Sequence, residues 1–246
     1  MGRRHFWWLV TVVVGVWGGC RNGESLTSTT PAIPFHVQFS AGDTFTYDFW
    51  MLDGYGYPVL SSQGRRIWHV AGTGETLNGT NSVTTVIDSV ITDTSNQADT
   101  LYFQFSSNGD VFQHGLLAGL IKRREGRDIP ARWECLAAFS QGSRSSWLVG
   151  YVDSAQTLPV YGQITGDQKF FLASVNGVQT VLTVYEVDIT GPNLQFTILL
   201  SDSPSAIAGF RDETSDTSYG QECDLSSIVR TSPMAMMGPL AARITP

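Results

Sequence analysis

Hydrophobic and polar side chains alternate along much of the chain from about residue 42 onward. Phe45, Tyr47, Phe49 and Met51 recur at every second position and therefore fall on one side of an extended segment. The same spacing recurs in four further runs: Val83, Thr85, Ile87 and Ile91; Leu101, Phe103 and Phe105; Val181, Tyr185, Val187 and Ile189; and Phe196, Ile198 and Leu200. Such alternation predicts strands with one buried and one wetter face.

Turn-forming residues separate these runs. They are Asp53-Gly54, Asn78-Gly79, Asn108-Gly109-Asp110, Asn176-Gly177 and Gly191-Pro192. An Asn-Gly pair favours a tight hairpin because both residues tolerate a positive φ. Strands at short, regular spacing with hairpin signals between them predict a mainly antiparallel sheet.

Helical spacing occurs in one segment. Leu116, Leu117, Leu120 and Ile121 lie on one face of a helix that would run into Lys122-Arg123-Arg124, and Pro130 ends the pattern. The predicted fold class is therefore all-β and mainly antiparallel, with one short helix. It is either a single curved sheet, or half-barrel, or a β-sandwich.

The β domain is predicted to cover residues 35–211. The alternation is lost from about residue 212, and the sequence becomes rich in Ser, Met and Pro, so residues 212–246 are predicted to form an irregular tail. We expect three rows of side chains to face one side of a common sheet, with the short helix covering them. The rows are Phe45/Tyr47/Phe49, Leu101/Phe103/Phe105 and Val181/Tyr185/Val187.

The first twenty residues combine two arginines, an apolar run and a cysteine. Arg3 and Arg4 precede the apolar run 6–17, and Gly18 and Gly19 precede Cys20. About 12 apolar residues are too few for a spanning helix, which needs roughly 20. The segment resembles the signal peptides of bacterial lipoproteins, from which it departs at Trp17, where an aliphatic residue is usual.

The resemblance implies a signal peptide over residues 1–19 and lipid attachment at Cys20. It also implies a membrane partner reached through the lipid, with the outer membrane of the bacterial envelope as the predicted location. An ordinary secretory signal, an uncut membrane anchor and a twin-arginine signal remain alternatives. Residues 20–34 would then form the lipidated cysteine and a tether, because they contain few apolar groups and two prolines.

The charge balance excludes one class of partner. Removal of residues 1–19 takes away Arg3 and Arg4 and no acidic residue, which leaves 13 basic against 22 acidic residues. Nucleic-acid binding needs a basic face, so no nucleic-acid partner is predicted.

The three cysteines allow one disulfide. If Cys20 carries lipid, Cys135 and Cys223 remain, and an oxidising envelope would preserve a bridge between them. Two buried, reduced thiols are the alternative.

Five basic residues are concentrated in one segment. Lys122, Arg123, Arg124, Arg127 and Arg132 are five of the 13 basic residues that follow the signal. Arginine forks suit phosphate and carboxylate groups, so this cluster is a candidate site for an anionic glycan or lipid headgroup. A solvated helix end with favourable dipole contacts is the alternative.

No catalytic motif is recognisable. His36, His69 and His114 are far apart in sequence, which argues against metal or general-base chemistry, and neither a metal nor a cofactor is predicted. Asp93, Ser95, Gln97 and Asp99 alternate in a polar loop but lack the glycine and glutamate of an EF-hand.

From about residue 42 to 210 the chain loosely resembles envelope lipoproteins with a curved antiparallel sheet, as in the LolA and LppX-like families. The resemblance lies in the lipid signal, the opening strand 42–47, the hairpins and the short helix. The predicted function is a non-catalytic binding or structural role at the envelope, and the ligand would be hydrophobic or anionic. A carrier of lipid and an envelope glycan hydrolase with paired carboxylates are the alternatives.

Overall fold

A computed structural model describes residues 32–213 and 220–231. In these residues one α-helix, α1 (Leu116–Glu125), accompanies twelve strands. The strands are β1 (Thr44–Met51), β2 (Gly64–Leu77), β3 (Thr80–Ile91), β4 (Asn96–Phe105), β5 (Val111–His114), β6 (Trp133–Ala137), β7 (Ser146–Tyr151), β8 (Pro159–Val175), β9 (Val178–Gly191), β10 (Leu194–Asp202), β11 (Ser205–Glu213) and β12 (Gln221–Val229). The predicted all-β class is confirmed.

All twelve strands belong to one sheet. Its order is β6-β5-β4-β3-β2-β1-β12-β11-β10-β9-β8-β7, and each strand is antiparallel to its neighbours in this order. β12 also makes a short parallel contact with β8, where Ser227 and Ile228 lie opposite Ser174 and Val175. The sheet therefore curves back on itself, and the curved-sheet alternative is the correct one.

The two end strands of the sheet also approach each other. The indole Nε1 of Trp147 on β7 donates a hydrogen bond to the carbonyl of Cys135 on β6, at 2.8 Å. Gly162 of β8 makes room for this indole, because a Cβ there would lie 2.4 Å from the Trp147 ring.

The predicted hairpins form where Asn-Gly occurs. Asn78 and Gly79 between β2 and β3, and Asn176 and Gly177 between β8 and β9, all have positive φ. Such residues match a tight turn to the twist of the flanking strands.

The helix α1 fills the concave side of the sheet. Its predicted apolar residues, Leu116, Leu117, Leu120 and Ile121, are all buried in the hydrophobic core. Gly150 on β7 leaves the space that the Leu117 side chain occupies, since a Cβ would lie 2.8 Å from Leu117 Cδ1. The helix ends at Gly126, which adopts the left-handed conformation typical of a C-terminal cap.

The expected alternation of the core rows is confirmed in two rows and partly wrong in the third. Phe45, Tyr47 and Phe49 are buried, and Leu101, Phe103 and Phe105 pack in the core. In the third row Val187 is buried but Val181 is 61% exposed. The cause is an irregularity in the β8–β9 pairing between Ile164 and Gln168, which reverses the faces of the residues beyond it.

The predicted C-terminal tail is wrong for the described residues 212–213 and 220–231. Asp212 and Glu213 end β11, and β12 lies in the interior of the sheet between β1 and β11. Beyond β12, Arg230 forms an ion pair with Asp43, and both side chains are buried. This pair joins the last described residues to the start of β1.

At the N-terminal end of the described residues, contacts with the rest of the domain are present before residue 35. The Ile33 amide donates to the Phe139 carbonyl at 3.1 Å, and the Phe35 ring stacks on Phe139 with centroids 3.7 Å apart. The tether predicted over residues 20–34 therefore extends too far toward the C-terminus, because Ile33 already contacts the domain. Residues 1–31, with the predicted signal and Cys20, lie outside the described part.

Candidate functional site

A groove lies between α1 and the concave face of the sheet. Its volume is about 130 Å³. Its walls come from β2, β4, β5, β10, β11 and α1. The residues that line it include Arg66, Trp68, Asp99, His114, Arg123 and Phe210. Gly115 and Gly119 line the groove without a side chain, and a Cβ on Gly119 would come within 3.6 Å of the Arg123 guanidinium.

Aromatic rings form the floor of the groove. Trp68 of β2 and Phe210 of β11 stack with centroids 5.6 Å apart and an interplanar angle of 18°. Phe196 of β10 packs against Phe210 at 6.2 Å. The rings are mostly buried, so the floor is rigid and apolar.

A buried ion pair between Arg66 and Asp88 contacts the rings of this floor. Arg66 Nε donates to Asp88 Oδ1 at 2.8 Å, a second guanidinium nitrogen contacts Asp88 Oδ2, and Trp68 Nε1 donates to Asp88 Oδ1 at 3.0 Å. The Arg66 guanidinium also lies 4.9 Å from the centroid of the Phe210 ring. Burial acts to lower the pKa of Arg66, but the Asp88 carboxylate outweighs it and the pKa is raised.

Arg123 brings a positive charge to the rim of the groove. Its side chain is 46% exposed, and its carboxylate partner, Asp212, lies 3.6 Å away. Asp212 is shared with Arg124, which binds it at 2.7 Å. Burial lowers the pKa of Arg123, against the attraction of Asp212. The Asp212 carboxylate cannot occupy all five N–H donors of this guanidinium, so donors remain for a further acceptor.

The opposite rim carries hydrogen-bonding groups. Asp99 on β4 is exposed, and His114 on β5 stands beside Trp133 with ring centroids 5.3 Å apart. The groove thus combines an apolar floor with an arginine, a carboxylate and an imidazole. Such a set suits a small polar ligand with a flat apolar face.

The predicted basic cluster does not form one site. Lys122 pairs with Asp128 at 3.1 Å, Arg127 with Glu125 at 2.8 Å, and Arg124 is almost wholly buried against Asp212. Arg132 is exposed near Gln156 and lines a different cavity, together with Glu134 and Asp153. Arg123 is the member of the predicted cluster that lines the groove, while the anion-binding role of the five residues stays a prediction.

The disulfide allowed by the sequence is not formed. Cys135 and Cys223 are both free thiols, on β6 and β12, which are separated by the five strands β1–β5 in the sheet order. Burial raises the pKa of each thiol to about 12, so both are protonated near neutral pH. Neither is therefore suited to nucleophilic chemistry.

The described residues hold no group of three or more His, Cys, Asp or Glu side chains placed to bind a metal ion. The polar stretch from Asp93 to Asp99 forms the β3–β4 turn and the start of β4, and Ser95 hydrogen-bonds to Thr92. Over the described ranges, no helix is both long and apolar enough to cross a membrane.

A second, smaller cavity of about 50 Å³ is lined by Glu134 and Asp153. Glu134 accepts a hydrogen bond from the Leu116 amide at 2.9 Å and so caps α1, whose N-cap residue Gly115 has no side chain. Asp153 accepts bonds from Thr157 and Leu158 within its own turn. Both carboxyls thus have structural partners, and the cavity is too small for a sugar ring beside them.

We expect the pH dependence of stability to report on Glu134. Burial raises its pKa to about 8, against the amide bonds that lower it, whereas an unfolded Glu titrates near about 4.3. Between these values the folded state holds a proton that the unfolded chain has released. Stability therefore falls as pH rises through this window.

Glu134→Gln keeps a side-chain oxygen that can accept the hydrogen bond from the Leu116 amide, but it removes the titrating carboxyl group. Relative to the parent, its free energy of unfolding should improve by about 2 kcal/mol or more between pH 5 and pH 8. Urea unfolding at both pH values measures this difference. Parallel pH profiles for parent and variant would contradict the assignment.

The sequence pattern did not identify the residues at the centre of the groove, because charged residues in a strand are usually assigned to its solvent-facing side. Arg66, Trp68 and Val70 alternate on the inner face of β2, but an inward arginine looks like a solvent-facing residue. An inward Asp88 on the neighbouring strand completes the pattern. A pair of opposite charges set on the apolar faces of two adjacent strands was the available signal.

No family model matches this chain, and no curated protein matches it. A solved structure that is similar to it comes from Bacteroides fragilis and is named a "putative exported protein" with a YmcC-like fold. That protein is 8% identical, and the match covers 79% of this chain and 98% of the other, with a TM-score of 0.36. A similarity this distant carries no argument about function.

Proposed function

We propose that this chain is a lipid-anchored protein of the bacterial cell envelope with a non-catalytic binding role. Its ligand in this proposal is an acidic sugar unit of an envelope glycan, bound in the groove beneath α1. The observation that carries the proposal is Arg123, an arginine with unused donors at the rim of a groove with an aromatic floor.

The chemistry of the groove matches such a ligand in three ways. The guanidinium of Arg123 can take a sugar carboxylate, and Asp99 can accept bonds from ring hydroxyls. The apolar face of a sugar ring can lie on the aromatic floor. These groups come from α1, β4 and the β2–β11 floor, so the fold positions each of them.

The size of the groove argues against a carrier of whole lipids. Pockets that enclose a ligand usually measure about 300–1,000 Å³, and the groove has about 130 Å³. One sugar unit can enter in part, whereas an acyl chain would remain largely in water. The dimensions of the groove therefore favour recognition of a polar group there over transport of a hydrophobic molecule.

Glucuronate binding tests the groove. We expect saturable NMR shifts on the full chain with glucuronate and weaker shifts with glucose, which lacks the carboxylate. Arg123→Gln should weaken glucuronate binding about tenfold or more, because a charge-assisted hydrogen bond is lost. Lys122→Gln, a neighbouring basic residue outside the groove, is the matched control. Equal affinity of Arg123→Gln and the parent would refute the site.

Substitution of Cys20 tests the anchor. The lipid is carried on a thioether, which serine cannot form, so Cys20→Ser should leave the membrane fraction or accumulate as uncut precursor. Fractionation and intact mass measure both results. A Cys20→Ser protein with unchanged mass and membrane partition would show that lipid is not attached there.

A further inference from the structure

The long hairpin of β8 and β9 carries an apolar outer face. Phe170 is 79% exposed, Leu172 is 62% exposed and Val181 is 61% exposed. Leu172 and Val181 lie directly opposite each other on the paired strands, and Phe170 lies two residues along β8. Val178, at the turn, is also 65% exposed, but it is paired with the buried Val175 and therefore lies on the opposite face of the hairpin.

The end of this hairpin that includes the turn carries no charged side chain. Residues 170–184 contain no Asp, Glu, Lys or Arg, in a chain in which 15% of residues are charged. The nearest charges along the strands, Lys169 and Glu186, are paired with each other. Contact with an apolar medium therefore requires no ion to lose its hydration.

The chain from the lipid-attachment residue enters the domain beside this hairpin. Ala32, Ile33 and Pro34 line a shallow pocket with Gln168 and Tyr185, which pair at the base of the hairpin. Phe170 and Leu172 follow Gln168 by two and four residues, or about 7–13 Å of strand. Twelve residue steps from Cys20 to Ala32 span at most about 43 Å, so a lipid on Cys20 keeps the hairpin within reach of the bilayer.

We propose that the outer face of the β8–β9 hairpin lies on the membrane surface as a second contact beside the lipid. The proposal rests on the lipid attachment at Cys20 proposed above. The occupant is the interfacial layer of a phospholipid bilayer, into which apolar side chains sink about 5–10 Å. The hairpin lies on this layer without crossing it, because unpaired backbone groups along a strand edge are unfavourable in hydrocarbon.

Site-specific fluorescence on the lipidated full chain tests the contact. Leu172→Cys carries an environment-sensitive nitrobenzoxadiazole label, and the protein is reconstituted in vesicles of phosphatidylethanolamine and phosphatidylglycerol in a three-to-one ratio. Leu60→Cys is the matched control, because Leu60 is 80% exposed and follows the far end of β1. The parent, with its two protonated native thiols, gives the labelling background.

The label at position 172 should shift to the blue in vesicles and be quenched by brominated lipids, while the label at position 60 stays unchanged. Equal quenching at both positions, or none at 172, would overturn the proposal. A blue emission before vesicles are added would also overturn it, since another part of this chain or a second copy would then cover the hairpin.

The experiments distinguish failure of the proposed lipid anchor from failure of the proposed hairpin contact. If Cys20→Ser stays on the membrane with unchanged mass, the lipid attachment is refuted, whatever the label at position 172 reports. If Cys20→Ser is released while the label on the lipidated protein is not quenched, the anchor stands and the hairpin contact is refuted.

Discussion

A chain that ends at Glu213 is expected not to fold at all. It lacks β12, which pairs with β1 along its whole length, with β11, and in parallel with β8. Its removal would leave two unpaired strand edges in the middle of the sheet and open the core at Cys223, Leu225 and Ile228, all buried. Circular dichroism should show loss of the cooperative thermal transition.

A chain that ends at Thr231 is the matched control. It retains β12 and the ion pair between Arg230 and Asp43, and with it the bond from the Thr231 amide to the Asp43 carboxylate. We expect its melting temperature to lie within a few degrees of the parent. If the two shortened chains were equally folded, the central position of β12 would be wrong.

The second large effect is expected from Asp88→Ala. This change leaves the guanidinium of Arg66 buried without its carboxylate and removes the acceptor of the Trp68 indole. Breaking a buried ion pair by removal of one partner costs about 3–5 kcal/mol. Urea unfolding followed by tryptophan fluorescence measures the change in the free energy of unfolding.

A double variant separates the ion pair from the packing. Arg66→Met with Asp88→Leu removes both charges at similar volume and should recover most of the lost stability. Lys122→Ala, which breaks the exposed pair with Asp128, should change stability by less than about 0.5 kcal/mol. A double variant as unstable as Asp88→Ala would show that the loss comes from packing.

The sequence pattern predicted an element and its buried face correctly where the apolar positions are also the buried ones. β1 places Phe45, Tyr47 and Phe49 inward, as its alternation predicts. The helix over Leu116–Glu125 buries the four residues that its period selects. In both elements the positions that the period selects are occupied by apolar or aromatic side chains, so pattern and structure coincide.

In β3 the pattern gave the wrong face. Val83, Thr85, Ile87 and Ile91 suggested one inward row, but Thr84, Val86 and Asp88 are the buried residues along most of the strand. Asp88 is inward because it binds Arg66, so the polar residue occupies a core position and Ile87 lies on the outer side. A buried pair of opposite charges reverses the apparent polarity of two strands at once.

β12 could not be recognised by its period. Its inward residues are Cys223, Leu225 and Ile228, and a register shift opposite Thr46 and Tyr47 changes the spacing from two to three. A bulge of this kind depends on the neighbouring strand and leaves no local signal. The groove as a whole has no local signal either, because strands distant in sequence supply its walls.

The place of β12 also sets the timing of folding during synthesis. Ser226 of β12 bonds to Thr46 of β1, 180 residues earlier in the chain. At about 5–20 residues per second, a ribosome takes roughly 10–40 s to make the chain between the N-terminal segment and this strand. Until then the sheet lacks a central strand, so β1 and β11 cannot be joined and the sheet cannot close.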